Sequence, residues 1–101
     1  MKSDLTGTVS LVTGSANGIG RAIADRFSIN GSRVVYSDIN FDQAKAAAKG
    51  GSNTLAYELD VTNTEHIKRV INGIVDKCGR LDILVNNAGI GTESIDRVTF
   101  E

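Results

Sequence analysis

Short apolar runs alternate with longer amphipathic stretches along this chain. The apolar runs are rich in β-branched side chains, which is typical of strands buried on both faces of a sheet. We predict four such strands, over residues 9–12, 32–38, 54–59 and 81–85. Three helices are predicted between them: an amphipathic one after the glycine-rich stretch 13–20, a modest alanine-rich one over 40–49, and a longer one before the fourth strand.

The third helix carries the clearest pattern in the sequence. Its apolar residues recur at i, i+3, i+4, i+7, i+8 and i+11, a spacing that places them along one face of a helix. They are Ile67, Val70, Ile71, Ile74, Val75 and Cys78. Thr62 and Glu65 have the spacing of a capping box at its start, and Gly79 is expected to end it.

Four strands separated by three helices predict an α/β fold with a parallel sheet, because parallel neighbours need a right-handed crossover connection. The expected strand order is 3-2-1-4, as in one half of a doubly wound sheet. The fourth strand would then lie at an edge of the sheet, with unpaired main-chain groups. In such sheets ligands bind beyond the carboxyl ends of the strands, and each candidate residue below follows one of those ends.

Composition narrows the possible functions. The 101 residues suffice for one small domain, and the 11 basic and 12 acidic residues form no long run, so no nucleic-acid or membrane-surface partner is expected. The sequence has neither a signal-peptide pattern nor an apolar stretch long enough to span a bilayer. The single cysteine favours a reducing cytoplasm. With one histidine, His66, expected on the solvated surface of the third helix, no metal site of ordinary ligand count is expected.

The first predicted strand runs into a turn that contains three glycines. Gly14 and Gly18 permit backbone angles and a close approach to a ligand that side chains would prevent, and Gly20 lets the following helix pack tightly on the strand. The start of that helix offers N–H groups and the positive end of its dipole to an anion such as a pyrophosphate. The alternative is a tight strand-to-helix turn that binds no ligand.

Asp38 ends the second predicted strand. In a dinucleotide-binding fold a carboxylate at this point accepts hydrogen bonds from the adenosine ribose hydroxyls. Capping of the next helix is the alternative, although Asn40 and Gln43 already have that spacing. A carboxylate here would also repel a 2′-phosphate, and no Lys or Arg lies within the glycine turn or just after Asp38 to neutralise one. NAD is therefore favoured over NADP.

The third and fourth predicted strands also end in polar residues. Asp60 can accept a hydrogen bond from an adenine amino group beside the Val61 N–H, or it is a solvated strand-end carboxylate. Asn86 and Asn87 follow a strand that should be apolar, which indicates either a hydrogen-bonded junction or a ligand site, because buried amides need partners. A polar turn is the plain alternative.

Together these motifs resemble those of the short-chain dehydrogenase/reductases, and the resemblance spans essentially the whole chain. It implies a Rossmann-type fold, a homo-oligomeric full-length protein, and hydride transfer between NAD(H) and a small alcohol or carbonyl substrate. It implies a cofactor site in which Gly14, Ser15, Asn17, Gly18, Ile19 and Gly20 surround the pyrophosphate, Asp38 holds the adenosine ribose, Asp60 and Val61 hold the adenine, and Asn87, Ala88 and Gly89 border the nicotinamide ribose.

The chain departs from the family where catalysis is concerned. Family members are much longer, and their catalytic Ser and Tyr-x-x-x-Lys elements lie in the second half. Here the residues four beyond Tyr36 and Tyr57 are Asn40 and Val61, so neither tyrosine has the lysine. We therefore predict that residues 1–101 form a dinucleotide-binding half-domain without catalytic residues, inactive alone. A stand-alone NAD-binding or sensing module is the alternative, and a different doubly wound enzyme, such as an extended epimerase, is a third.

Overall fold

The computed structural model describes residues 5–87 and the main chain of residues 94–97. Strands and helices alternate as predicted, and one further strand follows. The elements are β1 (Val9–Val12), α1 (Gly18–Ile29), β2 (Arg33–Asp38), α2 (Phe41–Ala48), β3 (Thr54–Glu58), α3 (Thr64–Cys78), β4 (Ile83–Asn86) and β5 (Ser94–Arg97). None of the helices in the described part of the chain is both long enough and apolar enough to cross a membrane.

The sheet has the order β3-β2-β1-β4-β5, which confirms the predicted arrangement of the first four strands. β1 lies at the centre and pairs in parallel with both β2 and β4. In the observed register Leu11 lies between Val35 and Leu84. The carboxyl ends of β1, β2, β3 and β4 therefore meet at one edge of the sheet.

The expectation that β4 is an edge strand is wrong, because β5 pairs with it. β5 runs antiparallel, with Ile83 opposite Arg97 and Asn86 opposite Ser94. An antiparallel neighbour needs no crossover helix, so the alternation of strands and helices gave no sign of it. The sequence of β5, Ser-Ile-Asp-Arg, has one apolar residue in four and no strand-like pattern.

Two hydrophobic clusters cover the two faces of the sheet. The cluster beneath α3 contains Val9, Leu11, Val35, Leu59, Val70, Ile74 and Leu81, with Cys78 packed against it. The cluster beneath α1 and α2 contains Val12, Ala24, Val34, Tyr36, Ala47, Ala48 and Val85. Neighbouring residues of β1 thus point into opposite clusters, as expected for a strand that is covered on both faces.

The start of α3 differs from the predicted capping box. The Asn63 side chain caps this helix by accepting a hydrogen bond from the His66 N–H at 3.1 Å. Thr62 instead donates its hydroxyl to the Asp60 carboxylate at 2.6 Å. Thr62 and Asn63 are both capping residue types at adjacent positions, and the nearby carboxylate draws Thr62 away from the helix. The predicted end at Gly79 is confirmed, with a φ of 82°.

We expect Asn63→Ala to lower the free energy of unfolding by about 1 kcal/mol, because the His66 N–H loses its partner. Asn17 is the matched control, since it also precedes a helix but makes no side-chain capping bond within the described residues. Asn17→Ala should therefore change stability by no more than a few tenths of a kcal/mol. Urea melts of the three proteins without nucleotide measure the difference. Equal losses in both variants would contradict the assigned cap.

Candidate functional site

A pocket of about 370 Å³ lies beyond the carboxyl ends of the central strands. It brings together residues that the sequence analysis placed at four different strand ends. Its lining is Gly14, Asp38, Ile39, Leu59, Asp60, Val61, Thr62 and Asn87. Five of the residues predicted for a cofactor site, Gly14, Asp38, Asp60, Val61 and Asn87, therefore share one concave surface.

The glycine turn between β1 and α1 borders this pocket through Gly14. Gly14 and Gly18 have φ values of 62° and 63°, in the left-handed region that favours glycine. Ser15 is fully buried beneath the turn, where its hydroxyl donates to the Val12 carbonyl at 2.8 Å. Its N–H donates to the Ser37 carbonyl at 2.8 Å. Ser15 thus anchors the turn to β1 and β2, and both of its donors are engaged within the protein.

Gly20 is buried where α1 passes closest to the turn. A Cβ built at this position would overlap the Gly14 carbonyl oxygen and the Asn87 amide nitrogen. Those two atoms are themselves joined, because the Asn87 side chain donates to the Gly14 carbonyl at 3.2 Å. The missing side chain at Gly20 therefore allows α1, the glycine turn and the end of β4 to meet.

The start of α1 is left open to the solvent. Asn17 precedes the helix, but its side chain makes no capping bond among the described residues, and the first turn of α1 contains no acidic side chain. The other two helices are capped by Asn40 and Asn63 and have an acidic residue in their first turn. A carboxylate at this position would repel an anion, so the start of α1 is the one that suits a phosphate.

Asp38 joins the end of β2 to the glycine turn. One of its carboxylate oxygens accepts from the Asn40 N–H at 3.1 Å and the other accepts from the Ala16 N–H at 3.4 Å. The cap of α2 is Asn40, which accepts from the Gln43 N–H at 3.1 Å. Asp38 is therefore not the helix cap, and its half-buried carboxylate lines the pocket.

Asp60 lines the same pocket. The Thr62 hydroxyl and N–H both donate to its carboxylate, at 2.6 and 3.0 Å, and these bonds lower the pKa of Asp60. The carboxylate is thus a stable anion with acceptor positions to spare. Hydrogen-bond acceptors are what an adenine amino group or ribose hydroxyls require.

His66 is not the solvated surface residue that the sequence analysis expected. It is half-buried, and its Nδ1 atom accepts from the Asp60 N–H at 3.3 Å. The helical stripe gave no signal of this contact. The relevant signal was its place in the first turn of α3, because side chains of a helix tilt toward its N-terminus, here toward the end of β3.

The end of β4 is a hydrogen-bonded junction. The Asn87 N–H donates to the Thr13 hydroxyl at 2.9 Å, and that hydroxyl lies 3.4 Å from the Asn86 side-chain oxygen. Asn87 thereby ties β4 to the glycine turn through both its main chain and its side chain. Ala88 and Gly89, predicted for the same site, lie outside the described residues.

The donor set of this site fits a dinucleotide better than a metal ion. A Cβ built on Gly18 meets nothing within 4 Å, so the space above the turn is open. The uncapped start of α1 suits an anion, while Asp38 and Asp60 offer acceptors to hydroxyl and amino groups. Within the described residues no group of three His, Cys, Asp or Glu side chains is placed to hold a metal.

Known proteins with similar sequences include several dehydrogenases. A family model described as short chain dehydrogenase matches residues 8–101. A sorbitol dehydrogenase from Cereibacter sphaeroides is 46% identical over 87 residues, which are 85% of this chain and 34% of that protein. A human protein named 15-hydroxyprostaglandin dehydrogenase (NAD(+)) is 41% identical over 95 residues, covering 88% of this chain and 36% of its own length.

A solved structure with a similar fold is a hydroxysteroid dehydrogenase from Escherichia coli. It superposes with a TM-score of 0.77 and 32% sequence identity, over 81% of this chain and 36% of that one. The chain thus spans only about a third of the length of these relatives.

Proposed function

This chain belongs to the short-chain dehydrogenase family, and we propose that it is the NAD-binding part of an oxidoreductase. The family reaction would be hydride transfer between NAD(H) and a small alcohol or carbonyl substrate. Residues 1–101 would form the dinucleotide-binding half, and the substrate and catalytic half would lie in further sequence. The observation that carries the proposal is the pocket at which residues from four strand ends converge.

Each predicted residue has a proposed role in holding the dinucleotide. The turn and the start of α1 would hold the pyrophosphate, since they combine open space, main-chain N–H groups and the positive end of a helix dipole. The carboxylates at the ends of β2 and β3 would accept from the adenosine. The proposed contacts are Gly14, Asn17, Gly18, Ile19 and Gly20 for the pyrophosphate, with Ser15 anchoring their turn from within, Asp38 for the ribose, Asp60 and Val61 for the adenine, and Asn87, Ala88 and Gly89 for the nicotinamide ribose.

The part played by this chain would be positioning. Bound NAD supplies a ring that accepts or donates hydride, and the protein must fix the ring relative to the substrate. The junction of Asn87 with Thr13 and Gly14 holds the end of β4 against the glycine turn. A site whose parts are already joined in this way would lose less conformational entropy when the cofactor binds.

We expect the full-length protein to bind NAD at least about tenfold more tightly than NADP, because Asp38 would repel the 2′-phosphate. Asp38→Ala should narrow that ratio. Asp42→Ala is the matched control, because it removes the same charge from an exposed position in the first turn of α2, outside the pocket lining. Calorimetric titration with each nucleotide measures the ratio. Equal or tighter NADP binding by the unmodified protein would refute the assignment of NAD.

We also propose a reducing, cytoplasmic location and a homo-oligomeric full-length form. The location rests on the cysteine content, since one cysteine in 101 residues cannot form a disulfide within them. The oligomer rests on the family resemblance. Light scattering of the full-length protein would test the oligomer directly.

A further inference from the structure

His66 is the side chain that supports the end of β3 from α3. Its Nδ1 atom accepts from the Asp60 N–H at 3.3 Å, and the carboxylate of the same aspartate lines the pocket. Next along the chain, Val61 and Thr62 line the pocket as well. One histidine nitrogen therefore bonds to the main chain at the first residue of a three-residue segment that lines the pocket.

This support is available only when the imidazole is neutral. A neutral ring with its proton on Nε2 has an acceptor at Nδ1, whereas a protonated ring carries a proton on both nitrogens and accepts nothing. Protonation would leave the Asp60 N–H without its partner. It would also place a positive charge beside the Asp60 carboxylate. The protonated ring would then compete with the nucleotide for the oxygen atoms of that carboxylate.

We propose that His66 is a positioning residue for the adenine end of the pocket, and that its protonation weakens nucleotide binding. The inference rests on the proposed function, because it assigns Asp60 and Val61 to the adenine. It adds a regulation of the site that the glycine turn and Asp38 do not provide.

Charged groups lie near His66 on two segments of the chain. Asp60 faces it from the connection between β3 and α3, and on its own helix Glu65 and Lys68 form an exposed ion pair at 3.9 Å. His66 is the only histidine among the 101 residues. Histidine is the side-chain type whose ordinary pKa, about 6.5, lies between the pKa of carboxyl groups and that of thiols.

The test is the affinity of the full-length protein for ADP-ribose at about pH 8 and about pH 5.5, on either side of an ordinary histidine pKa. ADP-ribose contains the adenosine and the pyrophosphate, and that pyrophosphate does not titrate between these values. We expect the unmodified protein to lose about fivefold in affinity at the lower pH, the worth of one hydrogen bond. Calorimetry measures the affinity, and circular dichroism at both values checks that the protein stays folded.

Two variants separate positioning from a general effect of acid. His66→Asn keeps an acceptor oxygen at the position of Nδ1, and that oxygen does not titrate, so this variant should retain most of the affinity at pH 8 and lose less than twofold at pH 5.5. His66→Ala lacks the acceptor and should bind weakly at both values. If His66→Ala fails to fold, the comparison with His66→Asn decides alone.

The outcomes distinguish this inference from the proposed function. Equal losses at low pH in the unmodified protein and His66→Asn, or no loss in the unmodified protein, would overturn the role of His66 while leaving the nucleotide site intact. Absence of ADP-ribose binding by the unmodified folded protein at both pH values would instead overturn the proposed function, and the inference with it.

Discussion

Gly20→Ala is expected to abolish measurable nucleotide binding and to lower the free energy of unfolding by about 3 kcal/mol. The added Cβ would overlap the Gly14 carbonyl oxygen and the Asn87 amide nitrogen. The first of these belongs to the main chain of the turn and cannot rotate away. Relief of the overlap would require α1 to move from the sheet and would break the bond between Asn87 and Gly14.

Gly73→Ala is the matched control for this substitution. Gly73 lies inside α3, and a Cβ there would lie 3.4 Å from the Tyr57 hydroxyl oxygen, at the edge of ordinary contact. Alanine favours a helix over glycine by about 1 kcal/mol, so this variant should be neutral or slightly more stable. The measurements are urea melts and calorimetric titrations with NAD, carried out on the full-length protein carrying either Gly20→Ala or Gly73→Ala.

A second variant, Gly18→Val, separates the binding loss from the folding loss. Nothing lies within 4 Å of a Cβ at Gly18, so the added side chain strains the turn without overlapping the core. It would nevertheless occupy the space proposed for the pyrophosphate. Gly18→Val should therefore abolish binding while lowering the free energy of unfolding by only about 1–2 kcal/mol, because valine must adopt left-handed backbone angles.

If Gly20→Ala folds and binds NAD normally, the close approach of α1 to the turn has no functional role.

The order of the first four strands could be predicted because it depends on features that extend over many residues. The apolar stripe on α3 must pack against another apolar surface, and Val70 and Ile74 of that stripe are both buried in the structure. Parallel strands joined by helices then allow few arrangements. The residues at strand ends could be found for the same reason, since the topology places them at one edge.

The features that escaped prediction depend on single contacts. Thr62 and Asn63 are both capping residue types, and the Asp60 carboxylate, which accepts from Thr62, leaves the cap to Asn63. β5 is short and has polar residues in three of its four positions, so no local pattern marks it. The contact between His66 and the main chain of Asp60 joins two elements whose approach the sequence does not give.

Residues 1–101 alone are expected to show no dehydrogenase turnover with NAD, at least about a thousandfold below the full-length protein, because neither of their tyrosines has the lysine of a Tyr-x-x-x-Lys element. The family resemblance implies a tyrosine whose pKa is lowered by a lysine. Tyr36 is instead fully buried, and burial together with its hydrogen bond to Asp25 raises its pKa. Tyr57 packs on the opposite face of the sheet, in the cluster beneath α3.

The measurement is NADH formation from a panel of small alcohols over a wide pH range, with NAD binding recorded on the same preparation. Binding without turnover is the expected result. It would show that the missing turnover is not caused by misfolding. The Gly20→Ala form of the same 101 residues controls for host dehydrogenases, because turnover that survives in it comes from a contaminant. Turnover that disappears in Gly20→Ala but is present in the unmodified chain would show that this part contains its own acid–base group. His66, Asp38 and Asp60 would then be the groups to replace first, because each lines the pocket or contacts its wall.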